Sequence, residues 1–139
     1  MGQRRYVDVN VFVYWLGGHP RYGERAKKWV FEVENSGRRV YYTSALTLYE
    51  TLVILGGLLG GRLRDRGFVE KVLTAFRELE SLEIVPLEKR IVLDALVYME
   101  EYGLDYEDAV HLASALSAGA GEIVSNDGDF DRGPLNRVF

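Results

Sequence analysis

The sequence contains no cysteine, and histidine is limited to two residues. Without thiols the chain forms neither a disulfide framework nor a thiolate zinc site. His19 and His111 alone are a poor basis for zinc chemistry of any other kind. These absences direct attention to sites built from oxygen ligands.

Long apolar runs are also missing, because the longest hydrophobic stretches are far too short to cross a bilayer. The first residues are few and basic, and strand-like sequence follows them at once, which does not resemble a signal peptide. We therefore expect a soluble cytoplasmic protein with no membrane association.

An excess of basic charge is lacking as well, since 21 acidic residues outnumber 17 basic ones and the formal net charge is −4. This balance argues against a general polyanion binder. It leaves a nuclease possible, because divalent cations bound to carboxylates would offset the negative charge. The length of 139 residues and the hydrophobic content of 47% fit one compact domain over residues 1–139.

Strand-like and helix-like segments alternate along the chain. Apolar and β-branched runs predict strands at residues 5–8, 39–43, 82–87 and 122–125, with a short edge strand at 136–139. Helical periodicity predicts helices at residues 11–16, 21–36, 44–55, 68–82, 88–102 and 106–118. The glycine- and arginine-rich segment 56–67 is predicted to be a loop or a broken helix. Such alternation predicts an α/β fold with a parallel sheet covered by helices on both faces.

Acidic residues occur where the predicted strands end or the following helices begin. Asp8 ends the first strand and Asp127 lies two residues beyond the fourth, while Glu50 and Asp108 lie in the first two turns of helices. In an open parallel sheet, sites form at the carboxyl ends of the strands beside a switch in strand order. We therefore expect these acids to share one cleft.

Carboxylates gathered in one cleft repel one another and raise their own pKa values unless a cation neutralises them. Mg²⁺ and Mn²⁺ prefer oxygen ligands, and both support metal-assisted hydrolysis of phosphodiesters. The acids therefore predict a nuclease that uses metal-activated water.

Four blocks of sequence, in this order, resemble the PIN-domain family and in particular its VapC-like ribonuclease toxins. The first block is the opening strand with its acid, and the second is a helix that carries Glu50. The third begins a helix with an Asp-Ala-x-x-x-Ala pattern, and the fourth is a closing strand followed by an acidic turn. The blocks cover residues 7–12, 47–52, 104–115 and 123–130.

The resemblance implies a three-layer α/β/α sandwich with a mostly parallel sheet of four to five strands. It implies an endoribonuclease that uses Mg²⁺ or Mn²⁺, with Asp8, Glu50, Asp108 and Asp127 as metal ligands. The resemblance also implies that three further polar residues orient these ligands by hydrogen bonds, and they are Asn10, Ser125 and Asp129. It also implies a homodimer and a small antitoxin protein whose apolar helix crosses residues 46–59, so that the chain is the toxin of a toxin–antitoxin pair.

Each acid also has a purely structural interpretation. Asp8 is compatible with a strand terminus, Glu50 with a solvated helix residue and Asp127 with a residue of an Asn-Asp-Gly turn. The Asp105-x-x-Asp108 spacing is that of a capping box, and we interpret Asp105 as the cap and Asp108 as the ligand. His111 is expected to pack between helices and sheet, outside the site. The basic run of Arg62, Arg64 and Arg66 is compatible with phosphate contacts or with a solvated face.

Two other functions compete with the nuclease. An aspartate-nucleophile phosphatase of the haloacid-dehalogenase type normally has a second aspartate two residues after the first, where this chain has Asn10. A non-catalytic binding module would keep the fold and use aromatic surfaces such as Tyr14, Trp15 and Trp29. A P-loop is excluded, because no Gly-Gly pair precedes a Lys-Ser/Thr dipeptide.

Overall fold

The structure is a computed structural model that describes residues 3–60 and 62–139. Its strands are β1 (Arg5–Val7), β2 (Tyr41–Ser44), β3 (Leu82–Val85), β4 (Glu122–Val124) and β5 (Asn136–Val138). Its α-helices are α1 (Val9–Leu16), α2 (Gly23–Glu34), α3 (Ala45–Leu58), α4 (Arg66–Arg77), α5 (Lys89–Tyr102) and α6 (Tyr106–Ser117). Short 3₁₀ helices cover Arg62–Arg64 and Gly128–Arg132.

The five strands form one sheet in the order β3-β2-β1-β4-β5, and every neighbouring pair is parallel. The chain first moves outward from β1 to β2 and β3, and then returns to place β4 on the other side of β1. The switch in strand order therefore lies between β1 and β4, where ligands bind in open α/β sheets. This parallel sheet confirms the predicted fold class.

Side chains alternate across the sheet and form two cores. Val7 and Val124 face a core shared with α1, α2, α3 and α4. Tyr6 and Ile123, one residue earlier in each strand, face a second core shared with α5 and α6. A parallel strand buried on both faces is continuously hydrophobic, which explains why β1 and β4 carry Tyr-Val and Ile-Val.

Several helix boundaries differ from the sequence predictions, most of all in α4, which covers Arg66–Arg77 instead of residues 68–82. Two further differences, in α1 and α3, have direct physical reasons. Helix α1 begins at Val9 instead of residue 11, because the Asp8 carboxylate accepts a hydrogen bond from the Val9 amide and caps the helix at once. Helix α3 continues beyond residue 55 through Gly56 and Gly57 to Leu58. Packing outweighs the low helix propensity of glycine here, since Leu55 and Gly56 are buried.

The segment at residues 56–67 is a broken helix, as the sequence predicted, although Gly61 and the Arg62 side chain lie outside the described part of the chain. Helix α5 ends at Gly103, whose φ of 67° belongs to the left-handed region that favours glycine. Among the helices described, none has the length and apolar character needed to span a membrane.

Candidate active site

Asp8 lies at the carboxyl end of β1, and its carboxylate is held by three donors. Oδ1 accepts from the Val9 amide at 2.8 Å, while Oδ2 accepts from Ser125 Oγ at 2.7 Å and from Asn10 Nδ2 at 3.2 Å. Only 3% of Asp8 is exposed. Burial raises the pKa of Asp8, against the charge of His111 and the donors Ser125 and Val9, which lower it.

Ser125 connects the ends of the two central strands. Its hydroxyl donates to Asp8 and accepts from Asn10 Nδ2 at 3.1 Å and from the Asp127 amide at 3.0 Å. The residue follows β4 directly and is fully buried. The predicted supporting residues Asn10 and Ser125 therefore both contact Asp8, and one hydroxyl fixes Asp8 relative to the Asp127 backbone.

Asp108 lies in the first turn of α6, and its carboxylate is not used to cap its own helix. Asp105 is the cap, since its Oδ1 accepts from the Asp108 amide at 2.8 Å. This geometry matches the capping interpretation made from the sequence. The Asp108 side chain instead faces the turn after β4, where carboxylate oxygens of Asp108, Asp127 and Asp129 lie within 4.8 Å of one another.

The acidic turn after β4 is shaped by its own backbone. Asp127 Oδ1 accepts from the Asp129 amide at 2.9 Å and starts the 3₁₀ helix at Gly128–Arg132. Asp129 is also paired with Arg132, at 2.9 Å. Asp129, for which the family resemblance implied only polar support, thus lies beside Asp108 and Asp127.

Mutual repulsion is visible in the pKa values of this cluster. Burial raises the pKa of Asp108 to about 7, and the charges of Asp127, Asp105 and Asp8 add to the shift. The same charge of Asp127 contributes to the raised pKa of Asp8. The charge of Asp127 therefore opposes the ionisation of both Asp8 and Asp108, as expected where carboxylates gather around a cation site.

Glu50 lies in a neighbouring group together with Glu107 and His111, with ligand atoms within 4.8 Å of one another. Glu50 Oε1 is 2.5 Å from His111 Nε2. Burial opposes the ionisation of Glu50, but the hydrogen bond and charge of His111 prevail and hold its pKa below the usual range. The hydrogen bond and the charge of Glu50, together with burial, raise the pKa of Glu107 to about 7.

His111 is a buried cation between the two groups. Burial lowers its pKa, but Tyr6, Glu50 and Asp8 raise it more, so that the pKa lies well above the ordinary value. Both ring nitrogens then carry protons, and Nδ1 donates to the Tyr6 hydroxyl at 2.7 Å. The Tyr6 hydroxyl donates in turn to Ser44 Oγ, at 2.9 Å. This chain fixes the ring of His111, and through it the carboxylate of Glu50.

The structure thus places the four predicted acids in two adjoining groups. The charge of Asp127 acts on both Asp8 and Asp108, and Glu50 is linked to Asp8 and Asp108 through the charge of His111. Sequence reasoning missed His111 and Glu107. The available signal was the helical spacing, because His111 lies one turn after Asp108 and faces the same side of α6.

The Asp108, Asp127 and Asp129 group fits a hard divalent cation. Its donors are all carboxylate oxygens, and the charges of Asp127, Asp105 and Asp8 add to the effect of burial in raising the pKa of Asp108. Mg²⁺ and Mn²⁺ favour such oxygen donors. In the Glu50 group, hydrogen bonds engage both ring nitrogens of His111, which leaves the carboxylates of Glu50 and Glu107 as its oxygen donors.

The fold and the acidic site place the chain among doubly wound α/β proteins that carry carboxylates where the strand order switches, here between β1 and β4. The sequence matches the PIN domain over residues 5–134, and the chain belongs to that family. No curated protein matches it by sequence.

Solved structures with the same fold include toxin–antitoxin proteins. A toxin–antitoxin complex from Klebsiella pneumoniae matches with a TM-score of 0.69 and 20% identity, over 97% of this chain and 96% of that one. VapC20 from Mycobacterium tuberculosis, a toxin that cleaves the sarcin–ricin loop, has a TM-score of 0.70 and 19% identity, over 91% and 92%. VapBC2 from Rickettsia felis, bound to a DNA fragment from its promoter, has a TM-score of 0.63 and 18% identity, over 98% of each chain.

Proposed function

We propose that the protein is a Mg²⁺- or Mn²⁺-dependent endoribonuclease that acts in the cytoplasm as a single-domain toxin of a toxin–antitoxin pair. The observation that carries the proposal is the acidic group at the β1–β4 switch point, where three carboxylates approach within 4.8 Å beside buried Asp8. Members of the PIN family are typically nucleases, and the structural neighbours include toxin–antitoxin complexes.

Asp8, Asp108, Asp127 and Glu50 are the proposed metal ligands, and Asp129 lies close enough to contribute to the same group. A bound Mg²⁺ or Mn²⁺ ion would supply Lewis-acid stabilisation of the phosphoryl oxygens. Ser125 and Asn10 hold Asp8 in one orientation, and His111 holds Glu50. Without a bound cation, the pKa values of Glu107 and Asp108 are about 7, so a cation held by Asp108 would displace a proton there.

The geometry favours this function over the phosphatase. A phosphatase of the haloacid-dehalogenase type has a second aspartate two residues after the nucleophile, whereas here Asn10 stands at that position and donates to Asp8 Oδ2 at 3.2 Å. An amide orients the Asp8 carboxylate but does not act as a general acid. A binding module without catalysis would gain nothing from acids whose repulsion costs folding free energy.

Cleavage assays test the proposal directly. The purified chain should cut RNA with Mg²⁺ or Mn²⁺ and stop with EDTA, on a panel that includes the sarcin–ricin loop cleaved by the M. tuberculosis relative. Asp108→Asn should remove the activity. Asp94→Asn, the same change at an exposed position of α5, should retain it. Equal activity in the wild type and Asp108→Asn would assign the cleavage to a contaminant and refute the proposal.

Two exposed apolar surfaces support the proposed partners. The α5 surface contains Leu93, Leu96 and Val97, which are 59%, 63% and 59% exposed. We assign this surface to a second copy of the chain. The α3 surface contains Tyr49 and Leu58, which are 62% and 70% exposed, and we assign it to the antitoxin helix. Apolar patches of this kind on a folded chain mark interaction sites.

A further inference from the structure

An open groove of about 710 Å³ runs along the outer side of α2. It is separate from the acidic residues described above, and none of them lines it. One wall is the exposed side of α2, and the chain terminus at Phe139 completes it. The groove is lined by Arg5, Glu24, Arg25, Lys27, Lys28, Trp29, Phe31, Glu32 and Phe139.

The groove is basic, although the whole chain is acidic. Four basic and two acidic side chains line it, in a protein of net charge −4. Arg5 is occupied by Glu122 at 2.7 Å. Arg25, Lys27 and Lys28 are exposed, and among the described residues none of them forms an ion pair. These three cations are therefore available to a polyanion.

Aromatic rings line the groove together with these cations. Trp29 and Phe139 are partly buried and so held in place, while Phe31 is 62% exposed. The Arg25 guanidinium lies 5.3 Å from the centre of the Phe139 ring. Nucleic-acid single strands bind to surfaces of this composition, because cations follow the phosphates and aromatic rings stack on the bases.

The groove is connected to the acidic site by a short series of contacts. The Tyr14 ring lies 5.9 Å from the Phe139 ring. The Tyr14 hydroxyl accepts a hydrogen bond from Asn126 Nδ2 at 3.1 Å. Asn126 precedes Asp127 directly, so Tyr14 contacts both the groove residue Phe139 and the start of the acidic turn.

We propose that the α2 groove binds a single-stranded stretch of the RNA substrate that flanks the cleaved bond. Bases stack on Trp29 and Phe139, and phosphates contact Arg25, Lys27 and Lys28. The inference rests on the proposed nuclease function and extends it, since it assigns the acidic site a strand that enters from α2. The surplus of unpaired cations favours RNA over an apolar protein helix as the occupant.

Binding of a fluorescein-labelled oligouridylate, measured by anisotropy with EDTA present, tests the groove without requiring cleavage. Arg25→Ala/Lys28→Ala should weaken binding, and the slope of log affinity against log salt should fall by about 0.7 for each phosphate that the variant no longer neutralises. Trp29→Leu should weaken binding at least ~5-fold because the ring that stacks on a base is removed. The control is Lys89→Ala/Arg90→Ala, which removes the same charge from α5. Because α5 packs in the core on the opposite face of the sheet from α2, this variant should bind as the wild type does.

Trp29 also provides a spectroscopic readout that leaves every residue of the groove unchanged. In a Trp15→Phe background, Trp29 is the one remaining tryptophan. Its fluorescence should be quenched by the oligouridylate if bases stack on the ring. Unquenched fluorescence, or no oligouridylate binding by the wild type, would overturn the inference.

The outcomes separate this inference from the proposed function. If the wild type cuts RNA but the groove variants bind and cut equally well, the groove is not the RNA path and the nuclease assignment stands. If no RNA is cut but the groove variants lose oligouridylate binding, the groove stands and the nuclease assignment falls. If the variants lose affinity for the antitoxin and keep affinity for RNA, the groove belongs to the protein partner and the inference is refuted.

Discussion

His111 Nε2 lies 2.5 Å from Glu50 Oε1, and this contact joins helices α3 and α6 beneath the acidic site. The His111 side chain is 1% exposed and that of Glu50 is 12% exposed. The imidazolium offsets part of the negative charge that the carboxylates bring to the switch point. It therefore has a structural role that remains when no divalent cation is bound.

Replacing His111 tests that role. His111→Gln should lower the free energy of unfolding by about 2 kcal/mol, because a charged hydrogen bond is removed from a buried position. Urea denaturation measures the change, and a double-mutant cycle with Glu50→Gln isolates the pairwise contribution. Additive effects of the two substitutions would show that the contact contributes no coupling.

The same pair predicts a direction for the pH dependence. The pKa of His111 is raised on folding and that of Glu50 is lowered. The His111 contribution is fully present below the unfolded pKa, about 6.5, and is lost as the pH rises through the folded pKa. The Glu50 contribution is lost as the pH falls through its own lowered pKa. The stability advantage of the wild type over His111→Gln should therefore decrease as the pH is raised from about 6.5 through the folded pKa of His111.

Unlike the ionised His111–Glu50 pair, which stabilises the folded chain, the ionised Asp108 carboxylate should destabilise it. Its pKa is raised to about 7 in the folded chain, so its ionisation opposes folding as the pH rises from the unfolded pKa towards 7. With EDTA present, the wild type should gain thermal stability relative to Asp108→Asn when the pH is lowered from about 8 to about 6. Melting curves at several pH values measure this difference.

Divalent cations should compete with the proton on Asp108. Below pH 7, Mn²⁺ binding should release about one proton and weaken by up to about tenfold per pH unit. Titration calorimetry in buffers of different ionisation enthalpy counts the protons. Binding that is independent of pH and unchanged in Asp108→Asn would place the cation elsewhere.

Much of the fold followed from the sequence because its signals are local. The alternation of strands and helices, the short edge strand before Phe139 and the cap at Asp105 each depend on residues within a few positions of one another. The early start of α1 could have been predicted in the same way, since Asp8 is an ordinary N-cap residue.

The arrangement of the site was harder to predict because it depends on packing between distant segments. Glu50 and His111 are 61 positions apart, and their contact depends on how α3 lies against α6. The sequence indicated that four acids share one edge of the sheet. It contained no signal that Glu50 would pair with His111 and Glu107 while Asp129 joined Asp108 and Asp127.

Ser125→Ala tests the support of Asp8. The substitution removes the donor at 2.7 Å from Asp8 and the acceptor of the Asp127 amide. Mn²⁺ affinity should fall by about 10- to 100-fold, the usual cost of losing a residue that orients a metal ligand. Ser114→Ala is the matched control, because that buried hydroxyl donates to Val110 of its own helix and, within residues 3–60 and 62–139, forms no hydrogen bond with the acidic site residues. Equal Mn²⁺ affinities in the two variants would contradict the assigned role.

The two apolar surfaces predict a reciprocal result. Leu96 on α5 is 63% exposed and Leu58 on α3 is 70% exposed, so a charge at either position costs the free chain little. Leu96→Glu should convert a dimer to a monomer in light scattering, since a glutamate buried against a second copy has no partner. Leu58→Glu should leave the dimer intact and weaken binding of the antitoxin. A wild type that is monomeric at all concentrations would refute the α5 assignment, and antitoxin binding that tolerates Leu58→Glu would refute the α3 assignment.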